Sequence, residues 1–429
     1  MMKAIRYIHA SDLHLDAPFL GISQRLPNGQ RLTQKLHDAT FTALSRLESL
    51  CLEQHADFLV LTGDLTNSEE QSIRARLALH AFCQKLAKAK IAVYIICGNH
   101  DPLKTSRHTI PLPENVTVFN DSVEQALWLR DNEVSAVIHG LSLTNRCEKR
   151  NVSQLFSRDL AHKDCFQLGL LHATVHGSDK SECCAPCSLE DLQRTGLDAW
   201  ALGHVHKAAV LADTPCITYA GSPQGLAINE SGNHGCYVIN AENHEGQWRC
   251  QTTFHALAPI VWQTVRVDIQ GLGEMPLLVN HVVSALEKAR TELSPQARCL
   301  FVHLVLSGTT ELDRELASHS DELLHELAYL QNESPELWIH HLSLETNGPH
   351  SLEAYRERDD LLGACLREAQ HLAENSSLQE AFFAEALQPL LHASPLTKLL
   401  PPLDDKLRLT LLNDAQKICL ARMEDGRVH

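Results

Sequence analysis

No apolar run in this 429-residue chain approaches the ~18 to 20 residues needed to cross a bilayer. Charges at Lys3, Arg6, Asp12 and Asp16 break up the first segment, so neither a membrane span nor a secretory leader is expected. Positive charge is short as well. Lys and Arg number 37 against 53 Asp and Glu, a formal charge of −16, which excludes passive whole-surface attraction to nucleic acid or anionic lipid. Any nucleic-acid contact must be local and helped by metal. The Gly-x-x-x-x-Gly-Lys-Ser/Thr loop of nucleotide-driven ATPases is absent, so an ATPase working with this chain is a separate protein. Cysteines, by contrast, number fourteen, yet only Cys184-Ala-Pro-Cys187, beside Cys183, has a chelating spacing. With no second Cys-x-x-Cys the set reads as structural, buried thiols of a reducing cytoplasm.

What is present is a repeated plan. Seven apolar residues, Ile91 to Cys97, run into Gly98, Asn99, His100 and Asp101. That is a buried strand cut off by glycine, with polar ligands at its carboxyl end, where chemistry collects in open α/β sheets. Tyr7-Ile-His-Ala-Ser-Asp12-Leu-His14 ends in Asp-x-His, and Asp57-Phe-Leu-Val-Leu-Thr-Gly63-Asp64 in Gly-Asp. Phe166-Gln-Leu-Gly-Leu-Leu-His172 ends in histidine, and Asp198-Ala-Trp-Ala-Leu-Gly203-His204-Val-His206 in Gly-His-x-His. Five strands ending in Asp, Asn or His imply one metal centre.

Residues 28–54 and 68–89 carry apolar residues at helical spacing, and with the strands they give a β-α-β-α-β rhythm and a parallel start to a mixed sheet or α/β sandwich. Short strands follow at 116–118, 126–129 and 134–138, and later at 216–220 and 235–239. The first domain is expected to span 1–258. A small β-α-β-α-β unit over 259–346 and a helical region over 347–429 complete the chain. In the latter, Ser377 and Glu380 suggest a capping box opening a helix with Phe382, Phe383 and Leu387 on one side. Those stripes serve either the chain's own core or a partner helix. His9, His80, His303, His340 and His341 read as structural.

Seven nitrogen and oxygen donors, Asp12, His14, Asp64, Asn99, His172, His204 and His206, are too many for one ion. With one carboxylate bridging, they divide into two sets of four. The absence of cysteine argues against structural zinc and favours Mn²⁺, Fe²⁺ or catalytic Zn²⁺. Two such ions can clamp the attacking and leaving oxygens of a phosphate ester and acidify a bound water. His100 is then free to neutralise developing charge or protonate the leaving oxygen, with Asp101 fixing its tautomer.

The order Asp-x-His, Gly-Asp, Gly-Asn-His-Asp, His, Gly-His-x-His resembles the calcineurin-like metallophosphoesterases. Ser11-Asp-Leu-His-Leu-Asp16, Ala201-Leu-Gly-His-Val-His-Lys207, Gly221-Ser-Pro-Gln-Gly225 and Gly235-Cys-Tyr237 narrow the resemblance to the DNA repair exonuclease branch. It implies a four-layer metallophosphoesterase sandwich, mixed β-sheets flanked by helices, with a small α/β cap and a helical tail. It also implies two divalent ions, Mn²⁺ foremost, one held by Asp12, His14, Asp64 and His206 and the other by Asp64, Asn99, His172 and His204. His100 matches the family's transition-state histidine. DNA as substrate, a coiled-coil SMC-like ATPase partner and a homodimer are further implications. One departure is visible, Asn67 standing where some nucleases of the group carry histidine, and His176 is a rival for His172. The competing functions are a small-nucleotide phosphodiesterase or phosphoprotein phosphatase, and an interaction subunit with a vestigial site.

Overall fold

The computed structural model describes residues 4–19, 29–66, 72–103, 111–146, 148–175, 184–332, 334–348, 355–387 and 404–424. The chain divides into two compact units. The first comprises Met1–Gln263, Glu292–Val302 and Glu333–His340, the second Thr264–Thr291, His303–Asn332 and His341–His429.

The first unit holds two six-stranded sheets. One contains β1 (Ala4–Ala10), β2 (Phe58–Thr62), β3 (Ala92–Ile96) and β4 (Val116–Val118), all parallel. Antiparallel to β1 lies β11 (Gly235–His244), which pairs in turn with β12 (Gln247–Ala256). The other sheet has β6 (Glu133–Gly140), β7 (Phe166–His172), β8 (Ala199–Gly203) and β10 (Cys216–Tyr219) parallel, with β5 (Glu124–Arg130) and β9 (Ala209–Asp213) antiparallel at its edges.

Side chains alternate across each strand, so an inner strand covered on both faces must be apolar throughout. Ile8, Leu59, Leu61, Val93 and Ile95 pack against Leu47, Cys51, Phe82 and Leu86 of helices α1 (Gly29–Glu53) and α2 (Ile73–Lys88). The alternate residues Tyr7, Phe58, Val60, Tyr94 and Ile96 meet Ile138, Phe166, Leu168 and Ala201 of the second sheet. Beyond that sheet, Leu171, Trp200, Leu202 and Ile217 pack with Phe156 and with Leu192 of α3 (Leu189–Arg194). Helix, sheet, sheet, helix is the expected four-layer mixed α/β architecture. The expected parallel start holds as well. Strands β9 and β12 are edge strands that sequence patterning does not mark, because their half-exposed, polar-rich patterns carry little apolar signal.

A third sheet has the order β13 (Ile260–Asp268), β14 (Cys299–Thr309), β15 (Glu336–Asn347). Helices α4 (Met275–Thr291), α5 (Asp313–Glu326), α6 (Leu361–Glu374), α7 (Ser376–Ala386) and α8 (Asp405–Glu424) follow the expected helical regions. Within the second unit, Leu278, Val282 and Leu286 of α4 and Leu316 and Leu323 of α5 are buried. The expected Ser377 capping box gives way to Asn375, whose side chain accepts from the Leu378 N–H. Phe382 and Phe383 also part company, one half exposed and the other buried, because adjacent helical residues lie ~100° apart. Leu412 of α8 is buried while Leu409 and Ile418 are exposed, so the tail keeps some of its apolar stripe for its own packing.

Among the described residues, no helix is long and apolar enough to cross a membrane. Eleven described cysteines are free thiols and nine of them are buried, Cys184 and Cys187 included; Cys183 lies outside the described residues. Burial pushes the Cys187 thiol up to about 12, an inert packing group in agreement with the structural reading.

Candidate metal centre

Each ligand loop begins where a parallel strand stops. Asp12 and His14 follow β1, Asp64 follows β2, Asn99 follows β3, His172 closes β7, and His204 and His206 follow β8. The loops are held in backbone conformations that side-chain-bearing residues avoid: φ is 50° at Asp12, 38° at His14, 52° at Asp64 and 93° at His204. Such positions cost about 1–3 kcal/mol each and persist only where the surroundings dictate them. Here the Asp12 N–H donates to the Gly63 carbonyl and the His14 N–H to the Asp64 carbonyl, both at 3.0 Å.

Two glycines let the loops converge. A Cβ on Gly98 would lie 2.7 Å from the Asp64 nitrogen and 2.8 Å from His172 Cε1. One on Gly203 would fall onto the Thr62 carbonyl oxygen and lie 2.5 Å from Ser11 Oγ. The glycines that punctuate the sequence motifs are thus close-approach positions as well as turns.

All seven candidate ligands come together. Asp12, His14 and His206 form one group whose donor atoms lie within 4.8 Å of one another, and Asp12, Asp64 and His172 form a second. Asn99 Oδ1 lies 2.8 Å from His172 Nε2 and 3.1 Å from His204 Nδ1. Asp12, Asp64 and His172 are almost wholly buried. Packing two carboxylates and an imidazole this densely, away from water, requires compensating positive charge.

The hydrogen bonds leave a place for that charge between the donor atoms. His206 Nδ1 donates to Glu230 Oε1 at 2.7 Å, which leaves its Nε2 lone pair facing His14 Nε2 at 3.2 Å and Asp12 Oδ1 at 3.9 Å. His172 Nδ1 donates to the Thr62 carbonyl at 2.9 Å, so its Nε2 lone pair faces Asn99 Oδ1 and, at 3.3 Å, Asp64 Oδ2. Acceptor against acceptor is repulsive unless a proton or metal ion sits between them. Outer partners that fix histidine tautomers are a regular attribute of metal ligands, and the donor set therefore fits divalent ions.

The titration behaviour agrees. Burial lowers the His172 imidazole, but Asp64 outweighs it and raises the group to about 9. Burial likewise lowers His206, and Glu230 and Asp12 raise it to about 9. Burial pushes the Asp64 carboxyl up, yet His172, His14 and His100 hold it well below the usual carboxylate range. The pocket selects positive charge on the histidines and negative charge on the carboxylate, which is the field a cation would replace.

His100 stands at the exposed rim, its ring 5.1 Å from that of His14, while its N–H donates to Asp64 Oδ1 at 2.7 Å. Asp101 departs from expectation. Its carboxylate accepts the N–H groups of Gly98 at 2.8 Å, Asp64 at 3.1 Å and Leu65 at 2.7 Å, and makes no hydrogen bond to His100. It braces the loops after β2 and β3 instead of fixing the His100 tautomer, because three converging backbone donors occupy both its oxygens. Burial, and next Asp64, raise its carboxyl to about 7.

Sequence reasoning missed Glu230 and the Thr62 carbonyl, and no local motif marks either one. Asn67 and His176 lie outside the described residues. Next to His204 and His206 opens a cavity of about 760 Å³ that Lys207, Glu230, His234 and Phe254 help to line.

Comparison with known proteins agrees with this geometry. The family model for calcineurin-like phosphoesterases matches residues 5–208, and that for the middle domain of metallophosphoesterase YhaO matches 262–347. The chain is 33% identical to metallophosphoesterase YhaO of Bacillus subtilis (strain 168) over 311 residues, 72% of this chain and 73% of that one. It is 24% identical to the DNA double-strand break repair protein Mre11 of Sulfurisphaera tokodaii, over 72% and 74% of the two chains. To the SbcD component of the nuclease SbcCD of Escherichia coli (strain K12) it is 22% identical, over 53% and 62%. The chain belongs to the calcineurin-like metallophosphoesterases, a family with a dinuclear divalent metal site, and within them to the DNA repair exonuclease branch of YhaO, Mre11 and SbcD.

Proposed function

We propose that the chain is the nuclease component of a DNA repair assembly, cleaving phosphodiester bonds with two divalent ions, manganese by preference, in the cytoplasm. The observation that carries this reading is the convergence of seven oxygen and nitrogen donors on a buried point beside an exposed histidine. Similarity to Mre11 and to SbcD supports DNA as the substrate and a separate SMC-like coiled-coil ATPase as the partner. We assign residues 1–258 to catalysis, 259–346 to a cap that presents DNA, and 347–429 to docking the ATPase, with the active form a homodimer.

Asp12, His14, Asp64 and His206 would hold one ion and Asp64, Asn99, His172 and His204 the other, Asp64 bridging. When bound, the ions supply Lewis acidity and a nucleophile at neutral pH. The chain's own residues do the rest. Asp64 accepts the His100 backbone N–H, which fixes the main chain that carries the imidazole at the rim where an ester must enter. From there His100 neutralises charge building on the phosphate or protonates the departing oxygen. Asp101 holds the loops after β2 and β3 in register, so Asp64 and Asn99 stay at fixed separation.

The test is manganese-dependent cleavage of end-labelled linear DNA, with bis-p-nitrophenyl phosphate as a parallel small substrate. Wild type should degrade both, and Asp64→Ala neither. His100→Ala should keep its metals and lose cleavage. Hydrolysis of the small ester with DNA left intact would point to a small-nucleotide substrate, and inactivity on both would overturn the reading.

A further inference from the structure

We propose that Glu230 is a positioning residue for His206, and that the Gly221-Ser-Pro-Gln-Gly225 turn exists to hold it in place. This rests on the two-metal reading above. Both carboxylate oxygens of Glu230 are committed: Oε1 accepts from His206 Nδ1 at 2.7 Å and Oε2 from the Leu226 N–H at 2.8 Å. The first bond sets the imidazole tautomer, so that Nε2 offers its lone pair toward Asp12 and His14. A neutral imidazole in the other tautomer would aim an N–H into the metal position.

The support is a closed ring. The Glu230 carbonyl accepts from His234 Nε2 at 3.0 Å, and His234 Nδ1 lies 2.8 Å from Ser222 Oγ and 3.0 Å from the Ser222 carbonyl oxygen. The Ser222 N–H donates to the His206 carbonyl at 3.0 Å, which brings the chain of bonds back to the ligand it began with. Ser222 and His234 are buried, so opening any link leaves a polar group unpaired away from water.

Gln224 anchors the ring to the main chain beyond. Its Nε2 donates to the carbonyls of Gly225 at 2.7 Å and Ile260 at 2.8 Å, and its Oε1 accepts the Ile260 N–H at 3.2 Å. Trp262 Nε1 adds a bond to the Gly225 carbonyl at 3.0 Å. A side chain that satisfies both backbone groups of one residue substitutes for a paired strand, and it holds a turn that would otherwise be loose. The motif therefore fixes Glu230, and Glu230 fixes His206.

Glutamine at position 230 is the discriminating change. Both present partners are N–H donors, and an amide can offer its oxygen to only one of them. In Glu230→Gln, manganese titration calorimetry should show one of the two sites weakened ~10- to 100-fold and the other unchanged. Hydrolysis of bis-p-nitrophenyl phosphate should fall at low manganese and recover at saturating manganese. Nitrogen-15 NMR of the zinc-loaded protein should show the His206 Nδ1–H moved away from its position in wild type, where it is bonded to a carboxylate. Ser222→Ala, which breaks the ring one link away, should give a smaller loss at the same site, and it carries the test if the glutamine variant does not fold. Variants that bind both ions as tightly as wild type overturn the proposal. A wild-type chain that binds fewer than two ions overturns the metal reading beneath it and the proposal with it.

Discussion

Two groups of histidines in this chain look alike in the sequence and behave differently in the fold. Around Asp64, the rings of His172 and His204 lie 5.2 Å apart and those of His14 and His206 4.9 Å apart, among buried carboxylates. In the third sheet, His303 and His341 are almost as close, with ring centroids at 5.0 Å. There His303 Nε2 bonds Ser343 Oγ at 2.7 Å, and burial, with His341 and Arg266 nearby, lowers its imidazole. A histidine pair becomes a metal centre when carboxylates buried at strand ends supply negative charge and outer acceptors fix the tautomers. On a strand face, beside a serine and an arginine, it remains surface chemistry.

The largest break in this contrast should come from backbone, not from a ligand. Gly203→Ala puts a methyl on the Thr62 carbonyl, whose oxygen also orients His172. It should destabilise the fold by about 3–5 kcal/mol and abolish binding of both ions, measured by chemical unfolding and metal titration. Next comes Asp64→Ala. It removes the carboxylate nearest His172 and should weaken metal binding by more than ~100-fold while the chain still folds, as circular dichroism would show.

A third histidine sharpens the comparison from the other side. His9 lies in β1, three residues before Asp12, with Nδ1 3.0 Å from Thr218 Oγ1 and Nε2 3.1 Å from Thr62 Oγ1, so it ties one large sheet to the other. Burial, with no carboxylate to oppose it, lowers its imidazole to about 3. The folded state needs it neutral. Its stabilisation is complete above the unfolded value near 6.5 and is lost as the unfolded chain takes up a proton between pH 6.5 and about 3. The loss is about 1.4 kcal/mol per pH unit in that window. Urea unfolding from pH 7 to 4.5 should show a flatter acid limb for His9→Gln than for wild type. Equal limbs would mean that His9 is not held neutral.

The smallest effect is expected in the third sheet. His303→Ala with His341→Ala should leave manganese stoichiometry unchanged and stability within about 0.5 kcal/mol. A lost ion in that variant would erase the distinction drawn above.

The candidate ligands and their convergence were legible because each stands in a short motif at the end of an apolar run, and a strand buried on both faces has little freedom to be anything else. The helices before β2 and β3 were legible through their 3.6-residue period. Edge strands β9 and β12 were not, since half-exposed edges dilute the apolar alternation. Asp101 misleads as a partner of His100 because adjacency in sequence suggests contact, whereas three backbone N–H groups from two loops reach it first.

By itself, then, the sequence determined the strand–ligand plan, the donor chemistry and the family, all encoded in local patterns of burial and punctuation. Only the tertiary structure decided which lone pairs face the metal positions. The Thr62 carbonyl and Glu230 select the tautomers of His172 and His206, and they do so across 110 and 24 residues of chain. Hydrogen bonds of that span depend on how the sheets and loops pack, and no local pattern records them.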